Sequence, residues 1–297
     1  MNPGQVIGRF APSPTGDLHF GSLVSAVGSF LEARTAGGTW LLRIEDIDPP
    51  REIAGSADRI IHDLERLGLI PDGPVLYQSG RLDAYNDAIN RLLEKGLAYR
   101  CGCSRKDLPA SGIYPGTCRN GIRDGKEPRS VRFCVEREIC VFVDKLQGQI
   151  SESPADISGD FIIQRADGLF AYQLAVVVDD DFQGVTQVVR GADLLDSTSR
   201  QICLQKALGF KSPDYMHLPV VVSTDGRKLS KRLQADPVKN QDPAYAVGQA
   251  LKFLGQNPPA NLSLNGLWDW AFEHWNSNLI PQCKITQPRQ QHRGISQ

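Results

Sequence analysis

No uninterrupted apolar run in the chain approaches the roughly 18–20 residues that a membrane-spanning helix needs. The opening MNPGQVIGRF lacks the basic-then-apolar order of a secretory leader. Charge of one sign is also missing: 33 Lys and Arg stand against 34 Asp and Glu, a formal net charge of −1. A surface coated in positive charge is thereby excluded, although a local basic groove on a neutral protein is not. Any nucleic-acid footprint is expected to be small and weakened by salt. There is no internal repeat. These absences leave a cytoplasmic enzyme or binding protein with no membrane partner as the expectation. Histidine is scarce, with five in the chain, and none lies near the cysteine-rich stretch. The seven cysteines are an odd number, and three crowd into residues 101–118. In a reducing compartment such a cluster reads as metal ligation sooner than as disulfides.

What is present is a chain of 297 residues, 41% hydrophobic, long enough for two or three domains. QVIGRF (5–10) reads as a strand running into a proline loop. From Ser22, the residues Leu23, Val24, Val27, Phe30 and Leu31 fall on one helical face until Gly37 and Gly38 end the run. TWLLRIEDID (39–48) reads as a second strand, stopped by Pro49 and Pro50. Strand, loop, helix, strand opens a parallel α/β sheet. Two amphipathic helices follow, one carrying Ile60, Ile61, Leu64 and Leu67 and one over 77–96. Residues 100–130 are irregular. Strands are expected at 131–135, 139–143, 160–165, 170–180, 184–191 and 215–224, with a helix at 194–208 and helical character over 236–297 before a disordered tail. The order predicts an α/β fold, a Rossmann-type doubly wound parallel sheet interrupted by an insertion. Its halves are placed at 1–98 and 169–235, the insertion at 99–168, and a short helical C-terminal region at 236–297.

Three stretches carry chemistry. RFAPSPTGDLHFGS (9–22) puts a rigid turn at a helix N-terminus, where unpaired N–H groups and the helix dipole suit an anion such as phosphate. Gly16 and Gly21 permit close approach, and His19 can donate to a phosphate oxygen. The same spacing fits a bland reading in which Asp17 caps the helix and His19 is a first-turn residue. GRKLSKR (226–232) places Lys228, Ser230, Lys231 and Arg232 on a loop that could cover a triphosphate; taken singly, it also fits a solvated turn. CGCSRKDLPASGIYPGTC (101–118) offers three thiolates to Zn²⁺, which takes four ligands. Tyr114 could supply a phenolate as the fourth, though spacing alone favours water or no metal. Cys134, Cys140, Cys203 and Cys283 read as incidental.

Taken together, PSPTGDLHFGS and KLSKR resemble the HIGH and KMSKS signatures of class I aminoacyl-tRNA synthetases, and RFAPSPTG with RIEDID narrows the resemblance to the glutamyl and glutaminyl branch. The match spans about residues 7–235. It departs at Ser22, where the signature has its second histidine, and at Leu229, where it has methionine. The resemblance implies that Pro12, Thr15, Gly16, His19, Gly21, Ser22, Lys228, Ser230 and Lys231 bind ATP with its Mg²⁺. His19 and Lys231 then act in adenylyl transfer to a carboxylate, and no protein nucleophile is needed. A glutamate substrate requires cations for two carboxylates and an acceptor for its ammonium. Arg9 can pair with a carboxylate through two parallel hydrogen bonds, and Glu45 can accept from the amino group. The alternative for those two is a mutual ion pair in the core. By the resemblance, Tyr172 and Arg190 complete the pocket, with Ala11 and Ser13 lining it.

The C-x-C…Y-x3-C pattern is similar to that of small glutamyl-tRNA synthetase paralogues, which implies one structural zinc on Cys101, Cys103, Tyr114 and Cys118, in an insertion resembling an acceptor-binding subdomain. Only residues 232–297 follow Lys231, so no anticodon-reading domain is expected. This resembles the short paralogues that place glutamate on the queuosine base at the wobble position of tRNA(Asp). Its expected partners are ATP, L-glutamate and the anticodon stem-loop of that tRNA, and the expected state is a monomer. Two alternatives remain: a truncated synthetase charging a tRNA 3′ end, and a non-catalytic module that binds glutamate or RNA.

Overall fold

IGRF forms the first strand, β1 (Ile7–Phe10), with all four residues buried. A computed structural model describes residues 5–122, 125–221, 238–282 and the backbone of 285–286. After the proline loop comes α1 (Phe20–Thr35), then β2 (Thr39–Ile44), α2 (Ser56–Arg66), β3 (Leu76–Tyr77) and α3 (Leu82–Glu94). β1 pairs in parallel with β2, and β2 with β3. The expected strand over 39–48 ends at Ile44, and the prolines begin a single 3₁₀ turn. An irregular segment follows β4 (Ala98–Cys101). Next come β5 (Ser130–Phe133), the hairpin β6 (Cys140–Asp144) and β7 (Gly148–Glu152), the single-turn α4 (Pro154–Ile157), and β8 (Ile162–Gln164). β4, β5 and β8 form a separate antiparallel sheet. The β6–β7 hairpin instead joins the second parallel group.

The stretch 170–180 departs from expectation. It is a helix, α5 (Tyr172–Phe182), in which every residue from Leu174 to Asp180 is buried. A helix covered on all sides shows no polar face, so the apolar period that would betray it is absent. Val176, Val177 and Val178 then look like strand. Beyond it, β9 (Gln187–Gly191), α6 (Leu195–Leu208) and β10 (Asp214–Leu218) complete the second half, with strand order β7-β6-β10-β9. The expected strand over 215–224 breaks at Pro219 into β10 and the short β11 (Val220–Val221), which pairs with β12 (Ile285–Thr286). Residues 222–224 and the tail 287–297 lie outside the described residues.

β9 runs beside β1, where the Thr186 amide donates to the Ile7 carbonyl at 2.9 Å. The two parallel groups thus meet where the strand order reverses, and a doubly wound sheet binds ligands in the crevice at the carboxyl ends of such strands. α1 backs this junction closely: a Cβ on Gly28 would lie 2.6 Å from Leu218 Cδ1. The C-terminal helices α7 (Pro243–Phe253) and α8 (Leu264–His274) close the same core. Trp268 sets α8 in place by packing edge-on to Phe30 and donating to the Leu67 carbonyl at 2.9 Å. Among the described residues, no helix is long and apolar enough to cross a membrane.

Candidate active site

At the carboxyl ends of β1 and β9 lies a cavity of about 650 Å³. It is lined by Arg9, Ala11, Pro12, Ser13, Thr15, Gly16, His19, Gly21 and Ser22 from the opening segment, by Glu45 after β2, and by Tyr172 and Arg190. Those of the expected ATP residues that lie in the opening segment therefore share one chamber with the residues expected to hold an amino acid. Lys228, Ser230 and Lys231 lie outside the described residues. The chain on either side of that stretch meets the chamber: Val221 lines it, and Lys239 pairs at 2.8 Å with Asp17, another lining residue.

The loop is shaped by its small residues. Gly16 takes φ 142°, outside the usual range of L side chains, and Ser56 clasps it by accepting from its N–H at 3.1 Å and donating to its carbonyl at 2.6 Å. His19 is the N-cap of α1, its Nδ1 accepting from the Ser22 amide at 3.1 Å, and Ser22 Oγ is 3.0 Å from Nε2. A Cβ on Gly21 would sit 3.3 Å from that ring. Asp17 is not the cap; its carboxylate accepts from Arg59 at 2.7 Å and from Lys239. The imidazole is thus fixed at the mouth of the helix by the backbone it caps.

Arg9 does not pair with Glu45. Its Nε and Nη2 meet the two carboxylate oxygens of Asp180 at 3.1 and 3.3 Å, and Arg43 Nη2 meets the same carboxylate at 2.7 Å. Burial would raise the Asp180 pKa, but Arg9 and Arg43 outweigh it and hold the group below the usual range. Glu45 Oε1 is 3.9 Å from Arg43 Nη2, a looser contact. Burial pushes Glu45 up to about 7 against the pull of Arg43 and Arg9. It is a carboxylate poised to gain from a cation entering the chamber. Also lining the chamber, Arg190 Nη1 donates to Tyr172 Oη at 3.3 Å. Burial raises the Tyr172 pKa, so the phenol keeps its proton.

The thiols of Cys101, Cys103 and Cys118 lie within 4.8 Å of one another. Tyr114 Oη is 3.2 Å from Cys101 Sγ and 3.4 Å from Cys103 Sγ, and it accepts from the Cys118 amide at 3.2 Å. Against its burial, hydrogen bonds from Tyr114, the Cys103 amide and Arg132 bring Cys101 down to about 7. Three convergent sulfurs and a phenol, with an apolar contact shell reduced to Tyr99 and Leu108, fit a thiophilic cation as the staple of this segment. The set can hold a metal.

Five residues that the sequence reading passed over belong to the site's framework: Arg43, Asp180, His217, Asp144 and Thr198. Asp180 had a signal, since the triplet Asp179–Asp181 closes an apolar run and a buried carboxylate requires a cation partner. His217 had none beyond its place inside an apolar strand.

Residues 5–111 and 115–258 match the family "tRNA synthetases class I (E and Q), catalytic domain". The chain belongs to this family. A Glutamyl-Q tRNA(Asp) synthetase of Dechloromonas aromatica is 50% identical over 290 residues, covering 94% of this chain and 96% of that protein. One from Cronobacter sakazakii is 51% identical, covering 97% and 98%. Among solved structures, a glutamate-tRNA synthetase from Elizabethkingia anophelis superposes with a TM-score of 0.77 at 26% identity, over 95% of this chain and 68% of that one. A glutamate tRNA ligase from Elizabethkingia meningosepticum, in complex with its amino acid, gives 0.78 at 25% identity, over 96% and 67%. As a class I synthetase, the chain is a ligase, and the chamber lies at the switch point where doubly wound sheets bind their ligands.

Proposed function

We propose that this protein activates L-glutamate with ATP and Mg²⁺ and transfers it to the queuosine base at the wobble position of tRNA(Asp). The observation that carries the reading is the contrast in similarity. About 50% identity spans nearly the whole of both chains for relatives named Glutamyl-Q tRNA(Asp) synthetase, whereas similarity to glutamate-tRNA synthetase is 26% and covers 68% of the longer chain. The chamber supports the first half of the reaction. Arg9 and Arg190 line it as cations for two carboxylates, with Glu45 as the acceptor for an ammonium. In adenylation, a carboxylate oxygen of glutamate attacks the α-phosphorus and pyrophosphate leaves. His19, at the helix mouth, and Lys231 stabilise the charge that moves onto the phosphate oxygens. In transfer, a hydroxyl of the queuosine cyclopentenediol attacks the adenylate carbonyl and AMP leaves. Mg²⁺ offsets charge on the triphosphate when bound. The metal held by Cys101, Cys103, Tyr114 and Cys118 is proposed as a structural zinc. The protein is proposed to act in the cytoplasm, as a monomer.

The test is transfer of radiolabelled glutamate to two tRNA pools, one carrying queuosine and one from cells unable to make it, with the label mapped by nuclease digestion. Label in the anticodon fragment of the queuosine pool alone is the expected result. Label at the 3′ end of both pools would make this a short tRNA-charging enzyme, and no label in either would leave a binding module.

A further inference from the structure

A guanidinium carries five N–H bonds, and what the protein does with them determines which remain for a ligand. In Arg190, Nε donates to Nε2 of His217 at 3.0 Å, and Nη2 donates to Thr198 Oγ1 at 2.8 Å and reaches the Leu194 carbonyl at 3.4 Å. Nη1 gives one bond to Tyr172. Among the described residues, the second Nη1 hydrogen is the one left beside Tyr172 in the chamber. Tyr172 Oη already accepts from Arg190, which frees its own proton for a ligand.

The Nε bond dictates the state of the histidine. A ring nitrogen that accepts from arginine carries no proton, so His217 is neutral with its proton on Nδ1. Nδ1 lies 2.6 Å from Asp144 Oδ2, and both side chains are fully buried. Burial, above all, holds the His217 pKa down, and nearby Arg190 adds to it. Asp144 is itself immobilised, with Oδ1 accepting from the amides of Leu146, Gln147 and His217 at 3.0, 2.8 and 3.2 Å. The turn between β6 and β7 therefore fixes Asp144, Asp144 fixes the imidazole tautomer, and the imidazole fixes the rotation of Arg190.

We propose that His217 is a positioning residue for substrate selection, holding Arg190 so that Nη1–H and the Tyr172 hydroxyl face the ligand as two donors. A distal carboxylate satisfies both with two acceptor oxygens. The corresponding carboxamide sets its own NH₂ against one of them and leaves a buried donor unpaired. The inference rests on the glutamate reading above and deepens it.

The experiment is ATP–pyrophosphate exchange on the intact protein with glutamate and with glutamine. In His217→Asn the amide can reach Asp144 but not Arg190, whereas in His217→Gln the carbonyl replaces Nε2 as the acceptor. His217→Asn is expected to raise KM for glutamate roughly tenfold or more, the scale of a lost buried hydrogen bond to a charged group. It should narrow the preference for glutamate over glutamine and leave KM for ATP unchanged. His217→Gln should recover most of the glutamate KM. Thr198→Val, which deletes the Nη2 acceptor at constant shape, should shift the same parameters in the same direction, and it decides the matter if the histidine variants do not fold. Unchanged glutamate-to-glutamine ratios, or KM values for glutamate and ATP that rise together, would overturn the positioning role alone. A wild-type protein that exchanges with neither amino acid would overturn the glutamate reading and this inference with it.

Discussion

Arg9 on β1 and Asp180 on α5, 171 positions apart in the chain, meet in a two-point ion pair at the chamber that Arg9 lines. Arg43 shares the same carboxylate. Removing one member of a buried charge cluster leaves the others uncompensated, at a cost of about 3–5 kcal/mol. Asp180→Ala should therefore lower the unfolding free energy by that margin, read as a lower urea midpoint, and abolish glutamate activation in whatever fraction remains folded. Asp180→Asn, which keeps the shape and one acceptor, should lose less stability yet still misplace Arg9. Equal midpoints for wild type and Asp180→Ala would show that the pair holds nothing.

Glu45 yields a pH dependence with opposite signs for stability and for binding. Burial raises its pKa in the fold to about 7 from an ordinary 4.5. Its contribution to stability is thus fully present below 4.5 and is lost as pH rises through about 7. Binding of an ammonium needs the ionised form, so KM for glutamate should fall as pH rises across that upper value. Glu45→Gln should flatten the stability profile over this window and weaken glutamate binding at every pH. Parallel wild-type and Glu45→Gln denaturation curves would refute the assignment.

The cysteine cluster predicts a local response to metal removal. Thiolate ligands bind only when deprotonated, so a bound ion adds its binding energy to the folding of the segment it closes. Chelation should expose residues 98–120 to protease without directly abolishing adenylate formation, and added zinc should restore protection. Tyr114→Phe should retain the fold and bind zinc more weakly. Identical digestion patterns with and without chelator would count against a structural metal.

Lys231 lies outside the described residues, and its prediction rests on the KLSKR motif. A cation needed chiefly in the transition state lowers kcat when removed and leaves ground-state binding in place. Lys231→Ala should slow pyrophosphate exchange by roughly 10²–10³-fold, as loss of one preorganised charge contact does. Glutamate binding, followed by calorimetry, should be retained. Full exchange activity in this variant would remove Lys231 from the chemistry.

By itself the sequence determined the parts of this protein whose physics is local. The opening loop was legible because two prolines, a positive-φ glycine and an apolar period of three and four together specify a turn at a helix N-terminus. The three cysteines were legible because a segment with few apolar side chains needs some other staple. Arg9 and Glu45 were named from RFAPS and RIEDID, and Tyr172 and Arg190 from the family resemblance; all four meet in one cavity. Only the tertiary structure decided what those side chains rest on. α5 read as strand because burial on every side erased its period, and with it went Asp180, the partner that turns Arg9 away from Glu45. His217 and Asp144 belong to different strands, 73 positions apart, and become a unit only when β6 pairs with β10. Local propensity acts over a few residues, whereas a buried charge takes its partner from whichever element the fold brings within about 3 Å.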